Sequence, residues 1–228
     1  MAKTKEQLLA ILSQFQLEGT MVDAQSFGNG HINDTLKVIN DKGEAPYVLQ
    51  RINHQIFTNV DMLQENIRIV TEHIRRQLVE RGEQDIDRKV LTFLPTKAGK
   101  NYYFDGDSYW RVCLLIPHCV SYEAVTPELA FEAGKAFGEF QSMLADLPEG
   151  TLGETIPNFH NMEFRLQQFR EAVTADAVGR VAEVADLIQE IEARAEAMCL
   201  QERLYRAGEL RKRVNHCDTK VNNMLFDA

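Results

Sequence analysis

Near the end of the chain, the run His216-Cys217-Asp218-Thr219-Lys220-Val221-Asn222-Asn223 sets an acid, a cation and a side-chain amide close together. These residue types suit phosphoryl transfer from a nucleotide. That reaction asks for a carboxylate to orient an attacking hydroxyl and accept its proton. It also asks for hard oxygen ligands for Mg2+ and a positive group beside the moving phosphoryl. Asp218 is the candidate base, Lys220 the candidate cation, and His216 completes the candidate catalytic set. Asn223, through its side-chain carbonyl, is the candidate Mg2+ ligand. The plainer alternative is an ordinary loop whose Asp caps a helix.

Two other segments carry groups that a nucleotide would need. Phe27-Gly28-Asn29-Gly30-His31-Ile32-Asn33-Asp34 lies between two predicted strands. Glycines there let backbone N–H groups approach phosphates without a side-chain clash. Gly28, Gly30, His31 and Asn33 are therefore candidate nucleotide contacts; a plain hairpin turn is the alternative. In Tyr47-Val48-Leu49-Gln50-Arg51 the alternation of a strand puts Leu49 and Arg51 on one face. Arg51 is then expected to reach phosphate and Leu49 to lie near the base. Glu65, on the next helix, is placed to orient Arg51, with Asn66 as the neighbouring alternative. A register shift of one residue would make Gln50 the inward group instead. Ile116 to His118 is the candidate hinge, where Ile116 would offer its backbone to adenine; Trp110 is read as packing.

The elements that must position these residues follow from pattern. Apolar residues at helical spacing predict a helix over Thr4 to Phe15. Strands are expected at Met21 to Phe27, Thr35 to Ile39 and Tyr47 to Ile52, joined by turn chemistry such as Asn40-Asp41-Lys42-Gly43. A helix over Asp61 to Glu80 is closed by Arg81-Gly82. Further strands are expected at Lys89 to Leu94, Tyr102 to Phe104 and Tyr109 to Ile116. Beyond Pro117 the pattern is helical, at Pro127 to Leu147, Met162 to Val173 and Ala177 to Leu204. Strands with one helix, followed by helices alone, predict an α+β fold in two lobes with a boundary near 117–122.

The chain's 228 residues can bury one large core or two small ones. A formal net charge of −9 argues against nucleic acid or an anionic membrane as partner. The four cysteines, Cys113, Cys119, Cys199 and Cys217, form no CxxC pair and are read as reduced thiols of a cytoplasmic protein. The N-terminus shows no signal-peptide pattern, and no apolar run reaches membrane-spanning length. The acidic stretch Asp176 to Glu202 is read as a solvated face, and His160, Asn161 and Arg165 as candidates to line the acceptor pocket, with a structural histidine as the alternative for His160.

Over essentially its whole length the chain resembles the aminoglycoside phosphotransferase and choline kinase family. Within that family it is most similar to the N-acetylhexosamine 1-kinases and related bacterial sugar kinases. The segments that carry the likeness are FGNGHINDT (27–35), YVLQRIN (47–53), YWRV (109–112), VSYEAV (120–125), AGKAFGEFQ (133–141) and HCDTKVNN (216–223). The resemblance implies a protein-kinase-like fold in two lobes. Residues 1–117 would form a nucleotide-binding lobe with a five-stranded antiparallel sheet and one helix. Residues 118–228 would form a mainly helical lobe, truncated just after the catalytic loop. It further implies ATP and Mg2+ as cofactors, Asp218 as base, Asn223 as metal ligand, and transfer to the anomeric hydroxyl of a free amino sugar. Choline, an aminoglycoside or homoserine are alternative acceptors. The family's second metal-binding Asp follows the catalytic loop, and Asp227 stands too near Asn223 to take its place. Weak or absent catalysis is therefore expected of these 228 residues, or a nucleotide-binding remnant whose apolar surface is covered by self-association.

Overall fold

In this computed structural model, which describes residues 3–28 and 33–228, the chain opens with helix α1, Lys5–Leu12. Thr4 starts it with a reciprocal cap: the Gln7 backbone N–H donates to the Thr4 hydroxyl, and the Thr4 N–H donates to the Gln7 side chain. Strands β1 (Met21–Ser26), β2 (Asp34–Asn40) and β3 (Tyr47–Ile52) form an antiparallel meander. Helix α2 (Val60–Glu80) and the one-turn helix α3 (Ile86–Lys89) come next, then β4 (Phe93–Leu94), β5 (Tyr103–Phe104) and β6 (Tyr109–Leu114). The sheet order is β1-β2-β3-β6-β4, with β5 also paired to β6. The two-residue β5 falls within the strand expected at Tyr102 to Phe104, and makes the sheet six-stranded where the family resemblance implied five.

The strand predicted over Lys89 to Leu94 shrinks to Phe93 and Leu94. The Val90 N–H closes a helical turn onto the Ile86 carbonyl, and Asp87 accepts hydrogen bonds from Thr92 and from Arg75. Those local bonds keep residues 86–92 out of the sheet.

Strand alternation divides the sheet into two chemically different faces. Val38, Tyr47, Leu49, Trp110 and Val112 point to one side and pack against Leu8, Ile11, Leu12 and Phe15. The second side carries Thr35 of β2, Gln50 of β3 and Arg111 of β6, aligned across the three strands among the buried Val48, Ile52 and Cys113. Burying each large apolar side chain of the first face is worth roughly 1.5–3 kcal/mol, so α1 is a structural part of the sheet. Trp110, read as packing, is 2% exposed there.

Asp105 ties this layer together. One carboxylate oxygen accepts the backbone N–H groups of Asp107 and Ser108 at 2.9 and 2.8 Å. The other accepts from the Trp110 indole at 2.9 Å and from the Lys3 ammonium at 2.8 Å.

Helix α4 (Pro127–Met143) begins at Thr126, whose hydroxyl accepts the Leu129 N–H. Its residues Phe140 and Met143, with Leu144, pack against Ile74 and Leu78 of α2. His73 of α2 bonds Asp146 at 2.8 Å, and Asn66 exchanges two hydrogen bonds with the backbone of Gly153. Two short strands, β7 (Cys119–Val120) and β8 (Phe226–Asp227), pair antiparallel. No pattern in the sequence had marked either.

The chain divides into two compact units, residues 1–155 with 214–228, and residues 156–213. The second unit holds α5 (Met162–Ala175), α6 (Ala185–Met198) and α7 (Leu200–Arg206). Two-pronged ion pairs, Arg170 with Glu192 and Arg206 with Glu163, join these helices. The helix expected to run unbroken to Leu204 stops at Cys199 and restarts. Among the described residues no helix is long and apolar enough to cross a membrane.

Asp105 supplies a pH test of the α1 layer. Burial alone would raise its pKa, but the bonds from Lys3, Ser108, Asp107 and Trp110 outweigh it and hold the group at about 2. A depressed folded pKa adds stability above the unfolded value, and that stability is lost as pH falls through the folded one. Chemical denaturation is therefore expected to show stability decreasing between about pH 4 and pH 2. Asp105→Asn should flatten this dependence and cost about 1–2 kcal/mol at neutral pH.

Candidate active site

The segment from Val214 onward has almost no regular structure, so its shape depends on what it touches. Val214 packs against the α2–α4 cluster. The His216 ring meets Phe137 and Phe140 of α4 edge-on, with centroids 5.3 and 5.8 Å away. Cys217 adopts a left-handed backbone (φ 65°), which turns the chain sharply just before Asp218. Beyond a short 3-10 turn, Val221–Asn223, strand β8 pairs with β7. Arg88 locks that junction by donating to the Pro117 carbonyl and pairing with the Asp227 carboxylate.

Between these anchors Asp218 and Asn223 face each other. The Asn223 side-chain amide donates to the Asp218 backbone carbonyl at 2.9 Å and to its carboxylate at 2.7 Å. The Lys220 ammonium lies 3.3 Å from the same carboxylate oxygen. With its N–H2 spent on Asp218, Asn223 has its carbonyl oxygen to offer a hard cation. The Asp218 carboxyl is held below its ordinary value, first by the Asn223 hydrogen bond and then, against some desolvation, by Lys220. It is ionised at neutral pH and ready to accept a hydrogen bond from a hydroxyl.

Three of the four loop candidates thus converge: Asp218, Lys220 and Asn223. The fourth, His216, turns to the aromatic pair on α4. Across the sheet, Gly28 has a left-handed backbone (φ 76°) that favours glycine, and Asn33 accepts the Asn53 N–H at 3.0 Å. Gly30 and His31 lie outside the described residues. The Ile116 carbonyl accepts from the Cys119 thiol at 3.1 Å.

The expectations for β3 need correction. Leu49 is 0% exposed among α1, Trp110 and Val112, and no surface of it remains for a base. Arg51 stands directly across from Asp34 and donates to its carboxylate at 2.6 Å. Glu65 does not orient Arg51; it takes two hydrogen bonds from Arg68, three residues along its own helix. Asn66 is engaged by Gly153. The register alternative describes the strand better: Gln50 lies on the face away from α1. Its amide donates to the Thr35 hydroxyl at 3.1 Å, and its carbonyl accepts from Arg111 Nε at 3.0 Å. Sequence reasoning passed over Arg111, although its two-residue offset from Tyr109 and Cys113 was a signal available in the strand.

In the second unit, the Asn161 side chain caps α5 by accepting the Phe164 N–H. Arg165 donates to the Phe159 carbonyl and lies over the Phe159 ring. His160 meets that same ring edge-on at 4.8 Å. The trio expected in an acceptor pocket is thus largely spent on local structure.

Comparison with known proteins agrees with this architecture. The family model described as "Phosphotransferase enzyme family" matches residues 23–228. The fold is similar to that of an aminoglycoside phosphotransferase from Alicyclobacillus acidocaldarius subsp. acidocaldarius DSM 446, with TM-score 0.51 and 16% identity over 89% of this chain and 55% of that one. It is also similar to spectinomycin phosphotransferase APH(9)-Ia, solved with ADP and spectinomycin, with TM-score 0.53 and 13% identity over 99% of this chain and 66% of that one. The chain therefore spans just over half and about two thirds of these two proteins. At such identities the likeness is one of fold, an α+β protein-kinase-like arrangement.

The Asp218–Asn223 contact can be read directly by NMR titration of the Asp218 carboxyl carbon. Asn223→Ala should move its pKa upward toward the ordinary Asp value of 3.8. Lys220→Ala should produce a smaller shift in the same direction.

Proposed function

Because this chain belongs to the phosphotransferase enzyme family, we propose that it takes part in ATP-dependent phosphorylation of a small-molecule alcohol. The observation that carries this reading is the Asp218–Asn223–Lys220 constellation, held in one loop that is anchored at both ends. Asp218 accepts a hydrogen bond from the acceptor hydroxyl, aligns its oxygen on the phosphoryl, and takes the proton late. A carboxylate of low basicity suits that role, since the transition state is loose and little proton transfer is needed early. Lys220 stands beside the same oxygen and offsets negative charge as the phosphoryl moves. His216 works as a positioning residue, setting the loop against α4.

Mg2+ bound with the nucleotide would offset the negative charge of its phosphates. The donor set of this chain fits such an ion through Asn223. Among the described residues no group of three or more His, Cys, Asp or Glu could hold a metal alone. Asn223 would then be one oxygen ligand in a shell made mainly of phosphate and water. Asp227, tied to Arg88, is not proposed as a ligand.

On the nucleotide side, the backbone around Gly28 and Asn33 would follow the phosphates, with Gly30 and His31 belonging to the same loop in sequence. Ile116 would mark the hinge, and the lobes would divide at 117–118. The favoured acceptor is the anomeric hydroxyl of an N-acetylhexosamine or similar sugar, on the strength of the sequence likeness. A cytoplasmic location follows from the same likeness. Self-association is supported by exposed apolar side chains such as Phe131, which is 70% exposed.

The test is a panel of amino sugars, aminoglycosides, choline and homoserine with Mg-ATP, scored by ADP release for the parent and for Asp218→Ala. One acceptor should be phosphorylated, and the variant should lose about a thousandfold or more in rate. A variant within about tenfold of the parent would remove Asp218 from its role.

A further inference from the structure

Arg111 is held in a setting that a guanidinium rarely tolerates. Its residue is half-buried on β6, and its Nη1 atom is buried with no hydrogen-bond partner. Nε donates to Gln50 at 3.0 Å, and the guanidinium carbon lies 5.2 Å from the centre of the Phe93 ring. Among the described residues it makes no ion pair. Its neighbour Cys113 is no counter-anion, because burial pushes that thiol up to about 11. A desolvated cation without an anion is costly, and the cost is relieved when one arrives.

The position of this cation indicates which anion. Thr35, Gln50 and Arg111 sit in register across β2, β3 and β6, linked by hydrogen bonds through the Gln50 amide. The row starts two residues past Asn33, where the glycine-bearing loop returns to the sheet. The Phe27 N–H donating to the Thr35 carbonyl closes that loop's base. Arg51, which the sequence offered for phosphate, is already paired with Asp34 and belongs to the opposite alternation of β3.

We propose that Arg111, oriented by Gln50, is the residue that receives the nucleotide's phosphates, so that the cation comes from the strand beside β3. The proposal rests on the phosphotransferase reading above. A modest turn of the outer side-chain torsions presents the unpartnered N–H groups to phosphate oxygens, in the paired geometry that guanidinium favours. Gln50 is then a positioning residue: its carbonyl holds Nε while its amide is held by Thr35.

Calorimetric titrations of the parent, Arg111→Met and Arg111→Lys with Mg-ATP, inorganic tripolyphosphate and adenosine test this. Arg111→Met should bind Mg-ATP and tripolyphosphate about tenfold to a hundredfold more weakly, with adenosine affinity unchanged; Arg111→Lys should keep part of the gain. Without ligand, Arg111→Met should melt at the same temperature as the parent or higher, because an uncompensated charge is gone. Unchanged Mg-ATP affinity in Arg111→Met overturns the proposal. So does a failure of that variant to fold, which would assign Arg111 a purely structural role. If the parent binds tripolyphosphate through Arg111 but not Mg-ATP, the phosphotransferase reading falls while the anion site stands. If it binds neither, both fall.

Discussion

The loop that carries Asp218 owes its shape to the apolar seam between α2 and α4. Residues 214–228 contain one 3-10 turn and a two-residue strand, too little backbone bonding to fix a conformation. Phe140, Met143 and Leu144, packed on Ile74 and Leu78, present a rigid wall, and Val214 and His216 lean on it. The β7–β8 pair and Arg88 fasten the other end. The exposed Asp218 carboxylate can then be held in one orientation by the Asn223 amide at 2.7 Å and the Lys220 ammonium at 3.3 Å, because the ends of its loop have little freedom left.

Charge pairing occupies several of the guanidinium groups near the proposed site. Arg51, Arg68, Arg75 and Arg88 each have a carboxylate partner. Exposed pairs of this kind add little stability, but they occupy the guanidinium. Lys220 shares its carboxylate with Asn223, and Arg111 has only a neutral amide. Both stand on elements that carry the proposed chemistry.

Most of the architecture was legible in the sequence. Turn residues and alternation located β1, β2, β3 and β6 to within a few residues, and the Asp218–Asn223 spacing marked the loop. What escaped was decided by contacts across the fold. Both β7 and β8 are too short to show a period, and each exists because the other pairs with it. Residues 89–92 look like strand but are captured by Asp87 and the α3 turn. For β3 the alternation was read correctly, with Leu49 and Arg51 on one side; the side itself was misassigned. That choice depends on where α1 docks, and α1 is forty residues away in sequence.

The same docking decides which residues share a face of the sheet. Once α1 covers the face of Leu49, Thr35, Gln50 and Arg111 are left together on the other face of the sheet. There, Gln50 brings a neutral amide, which cannot offset charge. It can, however, serve as acceptor and donor at once. Bonded to Thr35 on one side and Arg111 on the other, it passes the orientation of β2 to a charge two strands away. The charge of this polar row thus stands on the strand next to β3, where Arg111 lies in register with Gln50.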